Sequence, residues 1–72
     1  MLVARLENAR IHVYELKSNE LLAAKKEAMG LAKPMTRKIV ISDADSWDSE
    51  NQVDIASRYQ DCTNGNWSDW QS

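Results

Sequence analysis

The side chains best able to do chemistry are few: one histidine, one cysteine, three tryptophans and eleven carboxylates in 72 residues. His12 and Cys62 stand 50 positions apart. A structural zinc site needs four clustered nitrogen or sulfur ligands, so one chain does not supply it. Asp43, Asp45, Asp48 and Glu50 place hard oxygens close together, as a calcium loop would. The pattern then departs: Trp47 occupies the fifth loop position, no glycine follows it, and the twelfth position is Asp54 rather than a bidentate glutamate. The segment reads as a solvated acidic loop, and neither metal nor cofactor is expected. His12 falls in an alternating segment as an ordinary surface residue, and the two glycines, Gly30 and Gly65, make no phosphate-cradling loop. No histidine or lysine adjoins Cys62 to lower its pKa, which favours a structural thiol. Catalysis is therefore not expected. A lone cysteine forms no intrachain disulfide, which suggests a reducing compartment, the cytoplasm (that of the host cell if the chain is phage-encoded).

The sharper signal is charge. Residues 1–38 carry eight basic side chains against four acids, whereas residues 39–72 carry seven acids against Arg58 alone. The net charge of −2 is thus the sum of a +4 half and a −6 half. The acidic half also holds Trp47, Trp67 and Trp70. Tryptophan is enriched at binding hot spots because it removes much apolar area from water at low entropic cost. Negative charge steers such a surface toward a basic partner. The expected partner-binding residues are Asp43, Asp45, Trp47, Asp48, Glu50, Asp54, Trp67, Asp69 and Trp70. The competing reading is that the tryptophans fill the core of a chain with no phenylalanine, and that the acids keep it in solution.

These features predict a non-catalytic inhibitor or adaptor that binds a larger, basic, nucleic-acid-handling protein. Compact acidic chains without motifs suit phage or mobile-element products that block host defence. Two other classes compete: a small dimeric nucleic-acid-binding regulator or antitoxin, and a structural subunit of a larger assembly. Arg5, Arg10, Lys17, Lys25, Lys26, Lys33, Arg37 and Lys38 could neutralise phosphates. The four acids interspersed among them make direct nucleic-acid binding the weaker reading. Monomer and homodimer are both open.

The elements that would position these side chains follow from period and punctuation. A chain of this length is one domain, 1–72, with a thin core. No stretch approaches the ~20 apolar residues of a membrane span, and the charged start resembles no signal peptide. Leu21, Ala24, Ala28 and Leu31 recur at helical spacing, widened by Leu22 and Met29, with Lys25, Lys26 and Glu27 toward water. Ser18 or Asn19 can cap this helix, Gly30 can terminate it and Pro34 blocks continuation, giving a helix at about 18–30. Strands are expected at 2–7 and 9–16, because Ile11 and Val13 alternate with His12 and Tyr14. Arg37–Ser42 is a β-branched run, residues 43–52 form a polar loop, and Val53, Ile55, Ser57 and Tyr59 alternate as a further strand. Asn64-Gly65 then signals a hairpin into a last strand at 66–71. The expected fold is α+β: a small antiparallel sheet of three to five strands with one helix on a face. The alternative is a long N-terminal helix over 2–32 followed by a β-hairpin region, since Leu2, Leu6, Ala9, Val13 and Leu16 also fall at heptad spacing.

Overall fold

The computed structural model describes residues 2–43, 53–61 and 63–71. It contains strands β1 (Leu2–Glu7) and β2 (Ile11–Glu15), helix α1 (Leu21–Leu31), and strands β3 (Lys38–Asp43) and β4 (Val53–Tyr59). The strands form one sheet in the order β2-β1-β3-β4, and every neighbouring pair is antiparallel. The fold is α+β as expected, and residues 2–32 are not one long helix.

The two central strands are the two with buried residues in consecutive positions, Leu2–Ala4 in β1 and Ile39–Ser42 in β3. In β3, Ile39, Val40, Ile41 and Ser42 are all buried, and in β1 Leu2, Val3, Ala4 and Leu6 are. A strand flanked on both sides and covered on its faces needs apolar residues in consecutive positions rather than alternation. Strand β2 lies at the edge and is exposed throughout. It joins β1 through Asn8-Ala9-Arg10, where the Asn8 amide donates to the Arg10 carbonyl (3.0 Å) and Asn8 Oδ1 accepts the Arg10 amide (2.7 Å). Register across the sheet assigns Leu2, Ala4, Leu6, Ile39 and Ile41 to one face and Val3, Arg5, Val40 and Ser42 to the other.

Helix α1 covers the first of these faces. Ala24 and Ala28 are its fully buried positions, and with Leu2, Ala4, Leu6, Leu16, Ile39 and Ile41 they form the core. Alanine at both places lets the helix backbone lie close to the sheet. Leu21, Met29 and Leu31 pack at the margin, while Leu22 is exposed, so the apolar stripe is narrower than its spacing suggests.

The helix ends depart from expectation. Glu20 is the N-cap and has no side-chain cap bond; Ser18 Oγ instead accepts the Glu20 amide (3.1 Å). The Glu27 carboxylate, expected in water, reaches back to accept the amides of Lys17 (3.0 and 3.1 Å) and Ser18 (3.3 Å). A carboxylate on the second turn thus does the anchoring that a cap residue would do. Gly30 is helical, because nothing there requires a left-handed residue. The helix closes at Ala32, whose amide donates to the Met29 carbonyl (3.2 Å). Ala32 is itself extended (φ −67°, ψ 142°), two residues ahead of Pro34. Buried Thr36 seals the turn, its Oγ1 accepting the Lys33 amide (3.1 Å).

Strand β4 is less regular than its alternation implies. A register shift between Ile41 and Ser42 sets Ile41 opposite Ala56 but Ser42 opposite Asp54. Ile55 is the extra residue, and it packs against the core beneath α1, whereas Ser57 and Tyr59 align with the opposite face.

Candidate functional site

The nine residues singled out by charge and aromaticity do not converge. Asp45, Trp47, Asp48 and Glu50 lie outside the described residues, as does Cys62. Asp43 is exposed at the end of β3, and Asp69 is exposed between the two C-terminal tryptophans. Asp54 aligns with the face away from α1, where its Oδ1 accepts the Ser42 hydroxyl (2.8 Å) and its Oδ2 lies 3.9 Å from Arg5 Nη2. Trp67 and Trp70 pack against the core on the α1 side. The described acids and the described tryptophans therefore do not make a common surface.

What brings both tryptophans to one side is the hairpin after β4. Gly65 is left-handed (φ 74°), and its amide donates to the Asp61 carbonyl while the Asp61 amide donates to the Asn66 carbonyl (both 2.8 Å). Asp61 Oδ1 also accepts the Thr63 amide (2.8 Å) and hydroxyl (2.7 Å), and these bonds lower its pKa below the usual carboxylate value. The loop is longer than the two-residue turn expected from Asn64-Gly65. A two-residue turn would set Gln60 opposite Asp69, but Gln60 pairs with Trp67. Ser57 then pairs with Gln71, so the C-terminal segment carries one more residue than β4 between the two bridges. Two side chains three positions apart point to opposite faces of a regular strand. The extra residue removes that alternation, so both rings pack against the core on the same face, and Trp70 reaches Lys25 of α1.

Arg58 lies between them. Its guanidinium carbon is 5.6 Å from the Trp67 ring centre and 5.2 Å from that of Trp70, and Lys25 Nζ is 5.5 Å from the Trp70 ring on its own account. Arg58 Nε and Nη2 both donate to the Ser68 carbonyl (2.9 and 2.7 Å), so the cation is held by backbone as well as by the rings. Between α1 and this stack runs a groove of about 440 Å³ lined by Leu22, Lys25, Lys26, Met29, Arg58 and Trp70. Its apolar floor and rim include Leu22, 65% exposed, and its charges are three cations. Chemically it can hold an apolar group while neutralising negative charge beside it.

Sequence reasoning missed Arg58, which it counted only as the lone base of an acidic half. It assigned Lys25 and Lys26 to solvent, where Lys26 is exposed but Lys25 is half-buried over Trp70. The available signal was the strand alternation that puts Arg58 on the side of Ala56. A second, smaller pocket of about 140 Å³ lies at the other end of α1, lined by residues that include His12, Tyr14, Lys33 and Thr36. His12 itself is exposed on the edge strand. Among the described residues no group of three or more His, Cys, Asp or Glu could hold a metal ion. No described helix is long and apolar enough to cross a membrane. Compared with protein-family models, with curated proteins and with solved structures, the chain matches none.

Proposed function

We propose that this chain is a non-catalytic protein-binding module, an inhibitor or adaptor, that contacts its partner through the groove between α1 and the C-terminal segment. The observation that supports this is the Trp67–Arg58–Trp70–Lys25 stack standing beside exposed Leu22 and half-buried Met29. Tryptophan and arginine are the residue types that dominate binding energy at protein interfaces, and methionine adapts to irregular apolar partners. The stack is held before any partner arrives, which reduces the ordering cost of association.

A second reading keeps the charge logic of the sequence. Asp43, Asp54 and Asp69 are exposed, and they favour a basic, nucleic-acid-handling partner of the kind a phage or mobile-element inhibitor would block. Site-specific photo-crosslinking in the cell of origin separates the two, with a benzophenone amino acid replacing Leu22, Asp54 or Met35. The groove reading expects one discrete adduct from position 22, lost when Lys25→Glu and Lys26→Glu are added. An adduct from position 54 and none from 22 transfers the function to the acidic surface. No adduct from either overturns protein binding.

A further inference from the structure

Resting on the groove reading above, we infer that the partner segment is acidic: a short peptide stretch bearing one or two bulky apolar side chains flanked by aspartate or glutamate. The groove offers three cations, Lys25, Lys26 and Arg58, and the described residues lining it include no carboxylate. That composition is the reverse of the net charge of the chain, which is −2. A basic partner drawn by the overall charge would meet repulsion here.

The arrangement of the cations narrows the chemistry further. Arg58 is fixed by two bonds to the Ser68 carbonyl and by two rings, so its charge stays at the groove rather than sweeping through solvent. Lys26 is exposed and able to follow a carboxylate, while Lys25 rests over Trp70. Leu22 and Met29 are seven positions apart on α1, which spaces them about 10 Å along the helix axis. A floor of that length takes two apolar anchors one helical turn apart, or a single aromatic one.

The same geometry argues against single-stranded nucleic acid, whose bases would need a free ring face on which to stack. Both cations that contact Trp70 do so through its ring. A base stacking there would displace a charge that its own phosphate requires. Trp70 lines the groove beside Leu22 and Met29, and apolar area of that kind suits an aliphatic or aromatic side chain.

The test uses the full chain, labelled with nitrogen-15, and three synthetic peptides of about ten residues, enough to cover the floor. One has two leucines spaced by a helical turn among glutamates; one replaces the glutamates with lysines; one replaces the leucines with alanines. The acidic, leucine-bearing peptide should shift the amides of Leu22, Lys25, Lys26 and Met29 and the Trp70 indole. Its affinity should fall about tenfold in Lys26→Glu and again in about 0.5 M salt, because exposed charges are screened there. Lys26 is solvent-exposed, so this variant should keep the fold, and unchanged β1 and β3 shifts verify it. In the Lys25→Glu, Lys26→Glu double variant the preference should reverse toward the lysine peptide.

Equal binding of the acidic and lysine peptides overturns the inference, and so does equal binding of the alanine peptide, which would reduce it to charge alone. Tighter binding of an oligothymidylate overturns it in favour of nucleic acid. Self-association that protects the same amides overturns it in favour of a second copy of this chain. If no peptide binds while position 22 still crosslinks to a protein, the acidic partner is wrong and the groove reading survives. If neither occurs, both fail.

Discussion

Replacing Arg58 with methionine should release the C-terminal segment from β4 while leaving the rest of the sheet folded. Methionine keeps an unbranched apolar stem but removes the guanidinium. Two ring contacts at 5.2 and 5.6 Å disappear, each contributing about 1 kcal/mol for a half-buried cation. The paired donation to the Ser68 carbonyl is lost as well, and a hydrogen bond from a charged group contributes about 1.5–3 kcal/mol. The terms share one side chain and are not additive, so a loss of about 2–4 kcal/mol is expected. The segment at risk is tied to β4 by the Ser57–Gln71 amide pair and the Ser68-to-Tyr59 bond, all 2.8 Å. Hydrogen exchange reads the effect directly: protection of the Ser68 and Gln71 amides should drop roughly 30- to 1,000-fold. The amides of Ile39, Val40 and Ile41 should change little: Ile39 is the cross-strand partner of Arg58, but β3 is held by its ladders to β1 and β4, which do not use the guanidinium. Unchanged exchange at Ser68 and Gln71 would refute the role given to Arg58. An equal drop across β3 would show that the segment and the sheet unfold together, and the notion of a separately anchored strip would fail.

The two glycines should respond in opposite senses. Gly30 is helical with nothing within 4 Å of an added Cβ, so Gly30→Ala should raise thermal-unfolding stability by about 0.5–1 kcal/mol. Gly65→Ala should lower it by about 1 kcal/mol, since the backbone there is left-handed although an added Cβ would meet only Gln60 Nε2, at 3.9 Å. Truncating fully buried Ile39 to alanine should cost about 2–5 kcal/mol in a denaturant titration, comparable with the whole stability of a core this small. The pKa of Asp61 is depressed in the folded loop, so its contribution is present above the unfolded value and lost as pH falls through the folded one. Exchange protection of the Thr63 amide should therefore fall in acid, and Asp61→Asn should remove that pH dependence.

Most of the fold was legible because local and global preferences agree. The β-branched run at 37–42 reads as a strand, the alternation at 11–15 favours one over the competing heptad helix, and Pro34 bounds a helix whose stripe is carried by Ala24 and Ala28. The illegible parts are those fixed by contacts between distant residues. Ser18 looked like a cap, but Glu27, nine positions on, takes the amides of the loop leading into the helix. Gly30 looked like a stop because glycine often is one, yet the helix lacks a reason to end until the proline approaches. The shift at Ile41–Ser42 moves Ile55 into the core, and no periodicity announces a single extra residue.

The candidate site was hidden for the same reason. Charge counted along the chain divides the molecule at residue 38, and the tryptophans then fall with the acids. Folding does not respect that division. Helix α1 comes from the basic half and lies across the sheet, so its Lys25 meets Trp70 and Arg58 from the acidic half. Asp54, close to the tryptophans in composition, is carried by register to the opposite face beside Arg5. One extra residue between the Gln60–Trp67 and Ser57–Gln71 bridges lets Trp67 and Trp70, three positions apart, share a surface. Deleting that residue, for instance Asp69, should restore a regular ladder in which the two tryptophans, then two positions apart, still share the α1 face. Groove shifts that persist in such a variant, although an acid has been removed, would locate the binding surface in the shared face of the two rings rather than in the net charge. Their loss with the sheet intact would refute that placement.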